Sequence, residues 1–246
     1  MNLAQYLDST YLKTAEQASI SFDQTKQNVI SLIEEGIENN FKLVMIRPEF
    51  VSLAYKLIQD ANSQVLVGTV IGFYEGTNSI EDKLNEASQA INKNVDELDF
   101  VLNYNAFLNG QINLVKSEIY KGTKLALENN KTIKWIIEIA ALNDEEIIGL
   151  TKIIRDVVLE SFGEEKAKYV FVKSSTGFYK TEGRKPNGAT VEAMRLIVEN
   201  AKPLQSKAAG GVKNHQDAIE MIELGVTRIG TSSAKSIVDG ENIKGY

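Results

Sequence analysis

Four ionisable residues stand inside apolar runs of this sequence, and their types suggest one chemistry. Asp99 lies in Glu-Leu-Asp-Phe-Val-Leu, Glu138 in Trp-Ile-Ile-Glu-Ile, Lys173 in Tyr-Val-Phe-Val-Lys-Ser-Ser and Lys207 in Gln-Ser-Lys-Ala-Ala-Gly-Gly. Charged residues are rarely buried without a partner or a task. Two lysines and a carboxylate brought together suit imine formation. A free lysine has a pKa near 10.4 and is almost wholly protonated at neutral pH, so it cannot attack a carbonyl. Burial and a second cation both lower that value. A drop of about three units asks for roughly 4 kcal/mol from those two effects. Asp99 beside the amine would move protons, directly or through water. The competing explanation is a buried ion-pair cluster. Such clusters add little net stability, which favours a functional reason for keeping one.

Two short segments have the make-up of phosphate cradles. Ala209-Gly210-Gly211 precedes a helix that Asn214 is placed to cap, and Gly230-Thr231-Ser232-Ser233 precedes Ala234 and Lys235. Glycines let the backbone approach an anion, helix starts offer N–H groups, and hydroxyls add donors. Gly-Gly is a common turn, so each segment alone says little and the pair says more. Thr77 and Asn78 are further candidates for the same rim.

The elements that must position these residues follow from alternation. Apolar runs at 6–10, 42–46, 65–72, 97–102, 134–139, 169–175, 205–211 and 228–233 read as eight strands. Helical stripes lie between them: Val29, Ile33 and Ile37; Ile80, Leu84, Ala87 and Ile91; Ile147, Leu150, Ile154 and Val158; Val191, Met194 and Val198; Ala218, Met221 and Gly225. These stripes are core-packing faces. The alternation implies βαβ units and a parallel sheet. Eight units predict an α/β fold of one closed (β/α)8 barrel, for which 246 residues are sufficient. No Gly-x-Gly-x-x-Gly follows an early strand, which argues against a dinucleotide fold.

Period-two alternation places Asp99 with Val101 and Asn103, and Lys173 with Tyr169 and Phe171. Strands four to seven are neighbours in such a barrel, so their inward side chains converge. Both lysines come shortly before a glycine, Gly177 or Gly210, and so belong near the C-terminal mouth, where barrel chemistry takes place. Segment 177–188 reads as an exposed loop at that face, either a lid or rim of the site or a plain insertion. No linker-like tract interrupts the chain. A single domain over 1–246 is expected, with 235–246 as a mobile C-terminal tail.

Composition narrows the classes. The net charge is −6, and no basic stripe is present, so nucleic acid is not an expected partner. There is no cysteine and one histidine, His215, which argues against zinc sites and Ser-His-Asp triads. No run reaches the ~18 apolar residues of a membrane span. The opening residues show no signal-peptide pattern, and a cytoplasmic location is expected. His215 is expected to face solvent, and Trp135 to lie in the core.

The motifs also resemble a known family. Phe-Val-Lys-Ser-Ser-Thr-Gly-Phe (171–178) resembles the Schiff-base motif of deoxyribose-phosphate aldolases. Lys-Ala-Ala-Gly-Gly-Val (207–212) is similar to their second-lysine motif, and Asp-Glu-Leu-Asp-Phe-Val (96–101) to the segment of their proton-relay aspartate. Segments 7–13, 68–73, 135–138, 187–192 and 228–233 match as well, so the likeness covers most of 7–234. It implies a class I aldolase that needs no metal or cofactor and reversibly cleaves 2-deoxy-D-ribose 5-phosphate to D-glyceraldehyde 3-phosphate and acetaldehyde. Lys173 would form the imine. Lys207 would lower its pKa and shuttle a proton, and Asp99 would work with a water. Gly210, Gly211, Ser232, Ser233 and Thr176 would hold the phosphate. A homo-oligomer, a dimer first of all, is implied too.

There are departures from the family pattern. Met45 replaces a small residue or Cys, Ile139-Ala140 replaces a more polar pair, and loop 179–187 is long. Tyr246 matches a terminal tyrosine that reaches the active site in some members. Three alternatives stay open on the residues alone: another Schiff-base barrel of transaldolase type, a non-catalytic sensor of sugar phosphates, and a metal-dependent aldolase.

Overall fold

A computed structural model describes residues 1–183 and 186–240. The chain runs from β1 (Leu7–Thr10) through α1 (Ala15–Ala18) and α2 (Phe22–Glu38) to β2 (Leu43–Ile46), then α3 (Val51–Asp60) and β3 (Leu66–Ile71). Next come α4 (Ile80–Asn92), β4 (Glu97–Val101), α5 (Tyr104–Leu108), α6 (Ile112–Glu128) and β5 (Thr132–Ile136). The last part holds α7 (Asp144–Phe162), β6 (Val170–Lys173), α8 (Val191–Ala201), β7 (Gln205–Ala209), α9 (His215–Leu224), β8 (Arg228–Thr231) and α10 (Ala234–Val238). All eight strands are parallel to their neighbours, and β8 pairs back onto β1 to close the barrel. This is the expected (β/α)8 architecture.

Local chemistry explains the helix starts. Ser21 and Gln24 form a reciprocal capping box on α2, as Asn143 and Glu146 do on α7, and Asn214 accepts from the Asp217 amide to cap α9. The predicted stripes lie on helices, except that Gly225 falls just past the end of α9 as its left-handed cap, and Val29, Ile33, Ala87, Ile154 and Met194 among them are fully buried. Two more helices, α3 and α6, bury Val51, Ala54 and Ile58, and Val115, Ile119 and Ala126. Trp135 is fully buried and donates to Thr123 Oγ1 at 3.1 Å. His215 is half-buried, not solvent-facing, with Nδ1 3.0 Å from the Ile237 carbonyl oxygen.

The strands are shorter than the apolar runs. β6 starts after Tyr169, which belongs to a 3-10 turn and is 40% exposed, so Tyr169 does not share the inward face of Lys173. β5 begins two residues before the predicted run and ends before Glu138. That residue takes a left-handed backbone, φ 57 and ψ 70, and breaks the strand. Asn103 lies past β4 and caps α5. The expected tail begins as helix α10, while Tyr246 and its neighbours 241–245 lie outside the described residues.

The barrel interior has two unlike halves. On the β2–β3 side Leu43, Met45 and Val70 form a small apolar cluster with Leu12. The remaining strands put Asp8, Glu97, Asp99, Lys134, Lys173, Lys207 and Arg228 inside, all buried. Gly230 makes room for one of these chains, since a Cβ there would lie 2.9 Å from Lys207 Cε.

Candidate active site

Lys173 is the last residue of β6, and its register partners are Ile136 on β5 and Lys207 on β7. Its ammonium donates to Asp99 Oδ2 at 2.8 Å. Lys207 donates to the same oxygen at 2.9 Å, and Lys134 to Oδ1 at 2.7 Å. The two lysines and the carboxylate singled out from the sequence therefore meet around one group. Glu138, the fourth such residue, does not join them. Its Oε2 accepts from the amide and the hydroxyl of Thr176.

A cavity of about 350 Å³ opens above Lys173 at the C-terminal mouth. Lys173, Thr176, Phe178, Gly210 and Ser232 contribute to its wall, with Lys13 opposite. Lys207 lies deeper and is fully buried. Gly211 and Ser233 do not line the cavity. Ser233 borders a separate surface hollow beside Glu35 and Lys235. Thr176 lines the cavity, but its hydroxyl donates to Glu138 and accepts from the Phe178 amide, so its proton is already committed. Thr77 belongs to a second hollow beside the mouth with Tyr74, Tyr104 and Tyr179.

Gly210 (φ 72) meets the end of the 177–188 loop at close range: a Cβ on Gly188 would lie 2.6 Å from the Gly210 carbonyl carbon. Only glycine permits that approach of two backbones. The loop thus returns against the edge of the cavity, and Asn187 ties it to the Gly177 carbonyl.

The electrostatics follow from burial and neighbours. Burial pushes the Lys173 amine down to about 8; Asp99 opposes this, while Lys207 and Lys134 add to it. At pH 7 a pKa of about 8 leaves about a tenth of the amine uncharged, against roughly 0.03% at the usual value. Burial would raise Asp99, but Lys134, Lys173 and Lys207 outweigh it and hold its carboxyl well below the ordinary range. Burial raises Glu138, and it carries Tyr104 up to about 12 with Glu138 as the next cause. A left-handed backbone at a non-glycine costs on the order of 1–3 kcal/mol, and here it turns Glu138 toward Thr176.

Sequence reasoning did not assign roles to Asp8, Glu97, Lys134 and Arg228. Lys207 is 2.5 Å from Asp8, Lys134 is 2.6 Å from Glu97, and Arg228 is 2.7 Å from Asp8 and 2.8 Å from Glu97. The available signal was a charged residue in six of the eight strands of a parallel barrel, where strands are covered on both faces. Lys13, missed as well, comes three residues after the end of β1 and lines the mouth cavity.

Closed barrel, charged interior and a cavity-facing amine together define an α/β barrel with a reactive-amine site at its C-terminal mouth. Comparison with known proteins makes the family explicit. The deoxyribose-phosphate aldolase of Thermococcus kodakarensis is 36% identical over 239 residues, spanning 97% of this chain and 96% of the relative. That of Staphylococcus saprophyticus is 36% identical over 241 residues, with 98% and 97% covered. Among solved structures, the tetrameric deoxyribose phosphate aldolase of Aeropyrum pernix superposes with a TM-score of 0.75 at 26% identity over 96% of this chain and 89% of that one. QR15, an aldolase, gives 0.77 at 31% identity, with 97% and 95% covered. No protein-family model matches the chain. The chain belongs to the deoxyribose-phosphate aldolase family.

Proposed function

We propose that this enzyme reversibly cleaves 2-deoxy-D-ribose 5-phosphate to D-glyceraldehyde 3-phosphate and acetaldehyde through a Schiff base on Lys173. One observation carries the reading: a buried amine, depressed to about 8, borders the mouth cavity and touches a single carboxylate oxygen.

The uncharged Lys173 nitrogen attacks C1 of the open-chain sugar, and loss of water gives the protonated imine. Removal of the C3 hydroxyl proton breaks the C2–C3 bond. Its electron pair flows into the iminium, glyceraldehyde 3-phosphate departs, and an enamine remains. Protonation at C2 and attack by water release acetaldehyde and restore the amine. Asp99, with its oxygens on ammonium groups, is a weak base. It orients a water for the C3 proton and holds the charge of Lys207, which passes protons on. The phosphate lies along Gly210 and Ser232, with Lys13 supplying charge. No step draws on a metal or cofactor.

Incubation with substrate should yield acetaldehyde, unaffected by chelator. Borohydride should fix an adduct whose mass gain vanishes in Lys173→Ala. Turnover with no trappable adduct would count against the imine. The same reading carries a homodimer in the cytoplasm, and sedimentation velocity tests the assembly. Among the described residues, no helix is long and apolar enough to cross a membrane.

A further inference from the structure

Six of the buried charges close a ring. Asp8 meets Lys207 at 2.5 Å, Lys207 meets Asp99 at 2.9 Å, and Asp99 meets Lys134 at 2.7 Å. Lys134 meets Glu97 at 2.6 Å, Glu97 meets Arg228 at 2.8 Å, and Arg228 returns to Asp8 at 2.7 Å. Each cation bridges two carboxylates, and each carboxylate bridges two cations. None of the six side chains is more than 7% exposed. Three positive and three negative groups leave the ring neutral. Lys173 is a seventh member attached at Asp99 alone, so its ammonium is the surplus charge in a dry interior.

Stability does not account for this arrangement. Buried ion pairs are often replaceable by well-packed hydrocarbon at no loss. The β2–β3 half of the same interior is filled that way, by Leu43, Met45 and Val70. We infer that the ring as a whole, and not the nearest lysine alone, sets the proton affinity of Lys173, with Glu97, Lys134 and Arg228 acting as positioning residues through Asp99 and Asp8. This rests on the Schiff-base reading. The neutral amine leaves the ring balanced, whereas the ammonium adds one uncompensated charge. Arg228 and Glu97 sit at the start of their strands, away from the mouth, and reach Lys173 through Asp8, Lys207, Lys134 and Asp99. A unit charge ~10 Å away at an effective dielectric of about 20 moves a pKa by about one unit.

The titratable groups turned toward the barrel interior and its mouth come from five strands around Lys173 and the segments that follow them. β4 supplies Glu97 and Asp99, and β5 supplies Lys134 with Glu138 beyond its end. β7 supplies Lys207, β8 supplies Arg228, and β1 supplies Asp8 with Tyr11 and Lys13 on the cavity wall. β2 and β3 turn only uncharged side chains inward.

The sign of each change is fixed. Loss of an anion leaves a net positive ring, disfavours the ammonium and moves the amine's midpoint to lower pH. Loss of a cation does the reverse. The full-length enzyme is mixed with deoxyribose 5-phosphate and cyanoborohydride, and the rate of adduct formation is followed by mass from pH 6 to 10. The wild type should show a midpoint near 8. Glu97→Gln should move it acid-ward by about one unit, giving about fivefold faster trapping at pH 7. Arg228→Gln should move it alkaline-ward and slow trapping roughly tenfold. The double variant should return to the wild-type midpoint. If Arg228→Gln fails to fold, Glu97→Gln and the double variant still decide. An unmoved or alkaline midpoint in Glu97→Gln, or a double variant that fails to return, overturns the ring. A wild type that forms no adduct at any pH overturns the Schiff-base reading instead.

Discussion

Two lysines of this protein are buried to nearly the same degree and sit in opposite surroundings. Lys83 on α4 is fully buried, and burial lowers its pKa despite Glu118, as burial lowers that of Lys173 despite Asp99. Their hydrogen bonds differ. Lys83 donates to Gly76 O at 2.6 Å, Val101 O at 2.8 Å and Glu118 Oε1 at 2.5 Å, so all three of its donors are used. Glu118 in turn accepts from the Asn103 amide. The pair clamps the ends of the β3 and β4 segments from outside the barrel. Lys173 has one carboxylate oxygen and an open cavity. Burial and a lowered pKa are common to both amines; what separates them is the count of acceptors, three around Lys83 and one around Lys173.

The largest expected difference between them is in activity. Lys173→Met should cost at least ~10⁴-fold in kcat/KM, since the covalent route is lost altogether. Lys83→Met should leave the turnover of folded molecules within about threefold of the parent, because the clamp touches no cavity wall that reacts. Equal losses in both variants, measured as acetaldehyde release per folded enzyme, would abolish the distinction.

In stability the order reverses. Lys83→Met leaves Glu118 buried with no cation, and breaking a buried pair on one side costs about 3–5 kcal/mol. Urea denaturation should show that loss, whereas Lys173→Met should show none at pH 7. Asp99 keeps Lys134 and Lys207 in that variant.

A pH series sharpens the same contrast. The Lys173 amine has a folded-state value of about 8 against 10.5 unfolded. Between these values the unfolded chain holds a proton that the folded chain has released, so stability rises with pH across that window. The rise amounts to about 3 kcal/mol. It is missing from Lys173→Met, which should exceed the parent in stability at pH 7 and lose that advantage by pH 10.5. A constant gap between the two denaturation midpoints would contradict this.

One side of this contrast was legible in the sequence, and Lys83, which lies in a helical stretch, was not. The eight-strand alternation gave the barrel, and Asp99, Lys173 and Lys207 stood out as charges in apolar runs. Lys134 escaped because the run at 134–139 seemed to begin with it. With the strand extended back to Thr132, Lys134 sits mid-strand and points inward. Glu138 looked like strand because Trp-Ile-Ile-Glu-Ile has no glycine or proline to announce a left-handed kink. Arg228 and Glu97 open their strands, where a charged residue usually meets solvent. Ring closure across β1, β4, β5, β7 and β8 is a matter of registry, which one strand's period of two cannot specify.

The smallest effect expected is at the rim, and it tests whether binding and amine chemistry are separable. Ser232 lines the cavity edge next to Gly230 and Thr231, away from the ring. Its hydroxyl carries no charge, so Ser232→Ala should remove one hydrogen bond to phosphate, worth about 1 kcal/mol. That is roughly a fivefold rise in KM for deoxyribose 5-phosphate, with kcat and the trapping midpoint near pH 8 both unchanged. Unphosphorylated deoxyribose should not register the substitution. A shifted midpoint in Ser232→Ala would mean that the rim feeds into the amine's ionisation, and that the charge count inside the barrel is not what controls it.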